Sequence, residues 1–166
     1  KEQVGSQDQV HAAFGGFNVI SFRESGFKVQ PLIISTEKRN LLEKSLMVFY
    51  TGQTRYAEEV IKEQIERTSS MTNDIYLDRM KEMVEEATSL ISTEKSDRLT
   101  ESFGKLLHES WTLKKSLSSQ VSNKLIDEAY EKAIASGAWG GKITGAGGGG
   151  FLLFIVPLRK QTEVRN

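Results

Sequence analysis

The stretch Lys142-Ile143-Thr144-Gly145-Ala146-Gly147-Gly148-Gly149-Gly150-Phe151, running on into the apolar Leu152 to Val156, decides how the rest of the chain is read. Five of the 14 glycines in the sequence fall between positions 145 and 150. Glycine at this density serves backbone that takes positive φ or approaches a ligand with no Cβ in the way. Consecutive unencumbered N–H groups at a turn form a nest for an anion, most often a phosphate. The competing reading is a flexible linker or a plain glycine-rich hairpin. It is the weaker one, because the run holds no Ser or Pro and has strand-like sequence on both sides. The run fits neither common nucleotide fingerprint. The lysine precedes the glycines, so there is no G-x-x-x-x-G-K-[ST], and a strand follows where a dinucleotide-binding loop would lead into a helix.

Working outward, 166 residues suffice for one domain with a sizeable core, or one domain plus a piece of another. Hydrophobic residues make up 38% and charged residues 27%, ordinary for a soluble globular protein. Lys plus Arg and Asp plus Glu number 22 each, so no global field recruits nucleic acid or an anionic membrane. The absence of cysteine excludes disulfides and Cys-ligated zinc and fits a cytoplasmic protein. No apolar run approaches the roughly 20 residues of a membrane-spanning helix, and Lys1-Glu2-Gln3 does not begin a signal peptide.

Ser6 to Ala13 reads as a short helix ended by Gly15-Gly16. Phe17 to Phe22 reads as a strand, Glu24-Ser25-Gly26 as a hairpin turn, and Phe27 to Ile34 as the return strand, with Pro31 at an edge or bulge. Ser35 to Asn40 is taken as a polar connection to Leu46–Tyr50, a continuous apolar run of buried-strand type. Four helices are expected next. The first carries Tyr56, Val60, Ile61 and Ile65; the second runs from Tyr76 to Ile91. The third starts at Ser96-Asp97 and carries Leu99 to Trp111, and the fourth carries Leu125 to Ile134. Trp139–Thr144 and Phe151–Val156 are the last strands, joined by the glycine loop and stopped by Pro157. Helices are segregated from strands along the chain, which argues for α+β with a mainly antiparallel sheet packed with helices.

The run Lys142, Thr144, Gly145, Ala146 and Gly147 to Gly150 resembles the third motif of the GHMP small-molecule kinases, written K-x-[ST]-G-[AS]-G-G-G-G. A second segment resembles the sugar-kinase branch of that family, whose catalytic aspartate lies in G-x-x-D-Q; Gly5, Asp8 and Gln9 fit it. Spacing alone makes Asp8 only a first-turn acid stabilised by a helix dipole. The wider stretch from Asp8 to Asn18 is most similar to the bacterial D-glycero-D-manno-heptose 7-phosphate kinases, with Val10-His11 where an aromatic and a small residue are expected. Phe49-Tyr50-Thr51-Gly52 with Arg55, and Leu107 to Trp111 with Lys114, fit the same branch.

The resemblance implies residues 1–34 as the end of a GHMP N-terminal domain and 35–166 as a ferredoxin-like C-terminal domain, incomplete at its end. It implies Asp8 as catalytic base toward the anomeric hydroxyl of a sugar or sugar phosphate. Thr144, Gly145, Ala146, Gly147, Gly148, Gly149 and Gly150 would bind ATP phosphate, and Gln9, Gly15, Gly16 and Arg55 would meet the sugar. ATP and Mg²⁺ are the implied cofactors, the metal held by phosphates, water and residues outside this chain. The family's second phosphate motif, P-x-x-x-G-L-[GA]-S-S-[AS], is absent, so the chain reads as a fragment of a longer kinase, inactive by itself. Alternatives are another sugar-1-kinase, for fucose or galactose, a non-catalytic binding or dimerisation module, or a stand-alone phosphate-binding regulatory domain. A homodimer is compatible; nucleic acid and membrane are not expected as partners.

His11 is read as a packing histidine and His108-Glu109 as no metal motif, since a second histidine is missing. Lys114 and Lys115 could each receive a phosphate, but a solvated helix end is the favoured reading for both. Met80 and Met83 are read as core.

Overall fold

The computed structural model describes residues 6–54 and 57–166. It begins with a short helix, α1 (Gln7–Phe14), and a two-stranded antiparallel ribbon, β1 (Asn18–Arg23) with β2 (Gly26–Pro31). A helix α2 (Thr36–Ser45) leads into β3 (Leu46–Tyr50). Four helices follow: α3 (Ala57–Ser69), α4 (Asp74–Thr93), α5 (Ser96–Leu117) and α6 (Lys124–Ala135). Then come β4 (Gly140–Ile143), β5 (Phe151–Ile155), a 3-10 turn and α7 (Gln161–Arg165). All strand pairings among the described residues are antiparallel, with β5 at the centre in the order β3-β5-β4. The α+β expectation is met.

Two local readings need correction. Residues 36–45 form a helix, where a polar connection was expected. Only Leu41 and Leu42 are apolar there, too few to display a helical period. The start is nevertheless set by Ser35, whose Oγ accepts from Lys38 N at 3.3 Å. Second, β3 is an edge strand with Leu46, Val48 and Tyr50 exposed and only Met47 buried. Its continuous apolar run does not mark burial on both faces. Pro157 follows the end of the sheet, as expected, and beyond it the chain turns helical, with Gln161 Nε2 donating to Lys44 O at 2.6 Å. Pro31 closes β2 opposite Asn18, the edge position expected of it.

The core lies between the three-stranded sheet and helices α5 and α6. Trp111, Tyr130 and Phe154 are at most 4% exposed, with ring centroids 5.9 Å apart for the first pair and 5.3 Å for the second. Tilted aromatic pairs at this spacing add to the area they bury. α5 crosses β4 unusually closely. A Cβ placed on Gly140 would lie 1.9 Å from the Gly104 carbonyl oxygen, so glycine at 140 is what lets the two backbones touch. The free edge of β4 is completed by Tyr130. Its hydroxyl donates to Gly141 O at 3.1 Å and accepts from Gly141 N at 3.2 Å.

Candidate phosphate-binding loop

Residues 144–150 form the connection between β4 and β5, and its base is closed by Thr144. The Thr144 amide donates to Phe151 O at 2.8 Å and its hydroxyl donates to the same oxygen at 3.2 Å. The hydroxyl proton expected to face a phosphate is thus directed at protein. Gly145, Gly147, Gly148 and Gly150 all take positive φ. At Gly147 the need is also steric, because a Cβ would come within 2.7 Å of the Val121 carbonyl oxygen.

Neighbouring segments hold the loop at several points. Gly148 N donates to Val121 O at 2.8 Å, and Gly150 N donates to Gln53 O at 2.9 Å. Gly150 O accepts from the Thr51 amide and hydroxyl, each at 2.9 Å. The Ala146 methyl packs against the core, and Lys114 Nζ donates to Gly145 O. Of the backbone donors expected to meet a phosphate, those of Gly148 and Gly150 are therefore engaged. The N–H groups of Gly145, Ala146, Gly147 and Gly149 have no acceptor among the described residues. Unpaired donors on a positive-φ loop are the makings of an anion nest.

Two lysines converge on this loop. Lys114, in the last turn of α5, is half-buried; partial desolvation, then repulsion from Lys142, brings its ammonium down to about 8. Burial also lowers Lys142. Pleat alternation places Lys142 on the face of β4 it shares with Gly140, the face pressed onto α5. Neither lysine has a carboxylate partner among the described residues. Lys115 behaves differently. It pairs with Asp127 at 3.2 Å and lies 5.7 Å from the Trp111 ring centroid. The solvated-end reading thus fails for Lys114, while Lys115 is tied into structure.

The turn between α5 and α6 that supplies Val121 is itself pinned. Glu63 accepts from Ser118 Oγ at 2.7 Å, Ser119 Oγ at 2.9 Å and Ser119 N at 3.1 Å. The Ser118 hydroxyl foremost, then Ser119, holds the Glu63 carboxyl below the usual range. Asn123 caps α6 through Ile126 N at 3.2 Å and reaches Gln53 Oε1 at 2.9 Å. Gln53, Thr54, Asn123 and Gly148 line a small polar hollow beside the loop.

The other expected residues lie elsewhere. Asp8 and Gln9 are exposed in the first turn of α1, and Gly15 and Gly16 are exposed at its end with φ of 57° and 73°. No hydrogen bond or ion pair among the described residues joins Asp8 to the glycine loop. Gly5 and Arg55 lie outside the described residues. A cleft of about 480 Å³ separates α1 and the ribbon from α4 and α5. Gln7, His11, Met80 and Met83 line it, but Asp8 does not. His11 and Asp8 therefore do not share the cleft-facing side of α1. His108 Nδ1 bonds the Tyr130 hydroxyl at 2.8 Å, which gives it a structural partner. No group of three or more His, Asp or Glu among the described residues could hold a metal ion.

Sequence reasoning passed over Gln53 and Val121, because both act through main-chain carbonyls that no side-chain pattern reveals. In the sequence Lys142 stands out only as part of the glycine motif. Its two-residue offset from Gly140, on the same face of one strand, is the signal that could have paired it with α5.

Residues 94–166 match the family described as GHMP kinases C terminal. The chain is 32% identical, over 166 residues, to the D-glycero-alpha-D-manno-heptose 7-phosphate kinase of Campylobacter jejuni, covering 97% of this chain and 47% of that protein. It is 30% identical to the bifunctional fucokinase/GDP-fucose pyrophosphorylase of Arabidopsis thaliana, covering 97% of this chain and 15% of that one. Among solved structures, L. major mevalonate kinase in complex with R-mevalonate superposes with a TM-score of 0.76 at 17% identity, over 99% of this chain and 48% of that one; this establishes likeness of fold. The chain thus spans less than half of each of these relatives. The glycine loop and both strands it joins, β4 and β5, fall within residues 94–166, the part of the chain that matches the C-terminal domain of the GHMP kinases.

Proposed function

We propose that the protein is an ATP-dependent sugar kinase acting in the cytoplasm, and that it phosphorylates the anomeric hydroxyl of D-glycero-D-manno-heptose 7-phosphate. The observation that carries this reading is the loop 144–150, where four N–H groups have no acceptor and two nearby lysines no carboxylate partner among the described residues. Phosphoryl transfer asks chiefly for positioning and for stabilisation of charge on the transferred group. Free N–H groups of Gly145, Ala146, Gly147 and Gly149 supply fixed dipoles for that charge. Asp8, exposed in the first turn of α1, accepts the proton of the sugar hydroxyl as its oxygen attacks the γ-phosphorus of ATP. Mg²⁺ bound to ATP would neutralise phosphate charge, with ligands drawn from phosphate and water. In this reading residues 1–34 close an N-terminal domain and 35–166 form the C-terminal one, with Gln9, Gly15, Gly16 and Arg55 on the sugar side.

Similarity to the heptose 7-phosphate kinase along 97% of the chain favours that acceptor. Similarity to the fucokinase over the same span supports a second reading, a fucose-1-kinase with the same chemistry. ADP release from Mg-ATP, measured for the full-length protein with heptose 7-phosphate, fucose, galactose and mannose, separates them. Turnover of heptose 7-phosphate alone, falling by several orders of magnitude in Asp8→Ala, is the expected result. Turnover of a free hexose moves the substrate and keeps the mechanism. No turnover of any sugar, or full activity in Asp8→Ala, removes the reading.

A further inference from the structure

The Lys114 ammonium is spent on a backbone carbonyl, although most lysines with a partner here reach carboxylates. Lys105, Lys115, Lys124 and Lys160 pair with Glu101, Asp127, Glu128 and Glu163. Lys114 instead donates to Gly145 O, with Lys142 near enough to repel it and no carboxylate among the described residues paired with either. Holding two like charges close together in a half-buried place carries a cost unless their field is used. The peptide geometry says how it can be used. Every described peptide bond is trans, and in a trans peptide the C=O and the following N–H point in opposite directions. A Gly145 carbonyl held toward α5 therefore directs the Ala146 N–H away from α5. That N–H is one of the four without an acceptor. A cation on the carbonyl also polarises the peptide, which strengthens its N–H as a donor.

We infer that Lys114 is a positioning residue for phosphate. It fixes and polarises the Gly145–Ala146 peptide so that the Ala146 N–H presents to a phosphate group on the far side of the loop, while Lys142 keeps the loop electropositive. The inference rests on the reading of the loop as a phosphate site, and it adds a residue on α5 that need not touch the ligand. It also explains why Lys114 and not its neighbour Lys115 reaches the loop, since Lys115 is held by Asp127.

The test uses the full-length protein with inorganic pyrophosphate and a non-hydrolysable ATP analogue, for wild type, Lys114→Met and Lys114→Arg. Calorimetry gives the affinities, and the ¹⁵N–¹H resonances of Ala146 and Gly147 report the loop directly. Loss of a charge-assisted contact on this peptide lowers affinity roughly tenfold or more. Lys114→Met should show that loss, together with a diminished pyrophosphate-induced shift at Ala146. Lys114→Arg should restore both. Its unliganded thermal midpoint should be no lower in Lys114→Met than in wild type, because the change also removes a like-charge repulsion.

Unchanged affinity and an intact Ala146 shift in Lys114→Met would overturn the inference while leaving the kinase reading in place. Loss of binding that arginine does not restore, accompanied by a lowered midpoint, would show a structural role and overturn it as well. Failure of wild type to bind either probe would remove the phosphate reading of the loop and the inference with it. Pyrophosphate binding that depends on Lys114, in a protein that turns over no sugar, would sustain the inference and sink the kinase reading.

Discussion

Replacing Gly140 with alanine should be among the most damaging single-methyl changes available to this chain. The new Cβ would sit 1.9 Å from the Gly104 carbonyl oxygen and 3.0 Å from His108 Cβ. Ordinary van der Waals contact starts at 3.4 Å, so α5 would have to retreat from β4 by about 1.5 Å. It has little room to do so. α2 and α4 also pack against α5, and Trp111 on the same helix is 1% exposed. Overpacking costs about 1–3 kcal/mol, and an obstacle made of helix backbone puts this case near the upper value. For a chain of this length about 3 kcal/mol corresponds to a fall of roughly 6–12 °C in thermal midpoint. Retreat of α5 would also draw Lys114 from Gly145, so pyrophosphate affinity should fall with stability.

Gly145→Ala is the control. Its Cβ meets open space, and only the φ of 70° opposes it, at a cost of about 1–2 kcal/mol. Thermal and urea unfolding of both variants in the full-length protein, followed by circular dichroism, makes the comparison. A Gly140→Ala protein within about 1 kcal/mol of wild type, or less impaired than Gly145→Ala, would refute the argument that the two backbones must touch.

Tyr130→Phe strands both polar groups of Gly141 at the edge of β4 and should cost about 1–3 kcal/mol in urea unfolding. Burial pushes the Tyr130 hydroxyl up to about 12, so its contribution is complete below pH 10 and is lost as pH rises through 12. The stability difference between wild type and Tyr130→Phe should therefore shrink over that window; a difference constant with pH would contradict it. Glu63→Gln weakens the bonds that hold Ser118 and Ser119 and should cost about 1 kcal/mol at neutral pH. Because the Glu63 carboxyl is held low, its advantage is present above the ordinary carboxylate range and disappears as pH falls through its depressed value. Unfolding curves that stay separated by the same amount at low pH would argue against this.

The fold could be read from the sequence wherever one residue face repeated. Leu99 to Trp111 and Leu125 to Ile134 announced α5 and α6, and the strands flanking the glycines announced β4 and β5. It could not be read at α2, where two leucines form no stripe, nor at β3, where an apolar run stands at a sheet edge. The loop itself was visible through glycine density. What surrounds it was not, because Gln53 and Val121 contribute carbonyls, and because choosing between Lys114 and Lys115 requires knowing how α5 is rotated over β4. Asp8 was singled out by resemblance, and its exposed position on α1 follows from local helix geometry that spacing did anticipate.

The contact between Gly147 and Val121 separates two pressures that act on a single run of residues. A side chain at 147 is refused by the 2.7 Å approach to the Val121 carbonyl, a demand of the resting protein and not of any ligand. Drift in a lineage released from any ligand at this loop would still be stopped there, since the misfit is felt during folding. Gly147 can therefore outlast any ligand at this loop, while Gly145, whose added Cβ would meet open space, is held by backbone conformation alone. Residues whose replacement the fold tolerates, Lys114 and the exposed Asp8 among them, are the ones whose loss would record a change of occupation.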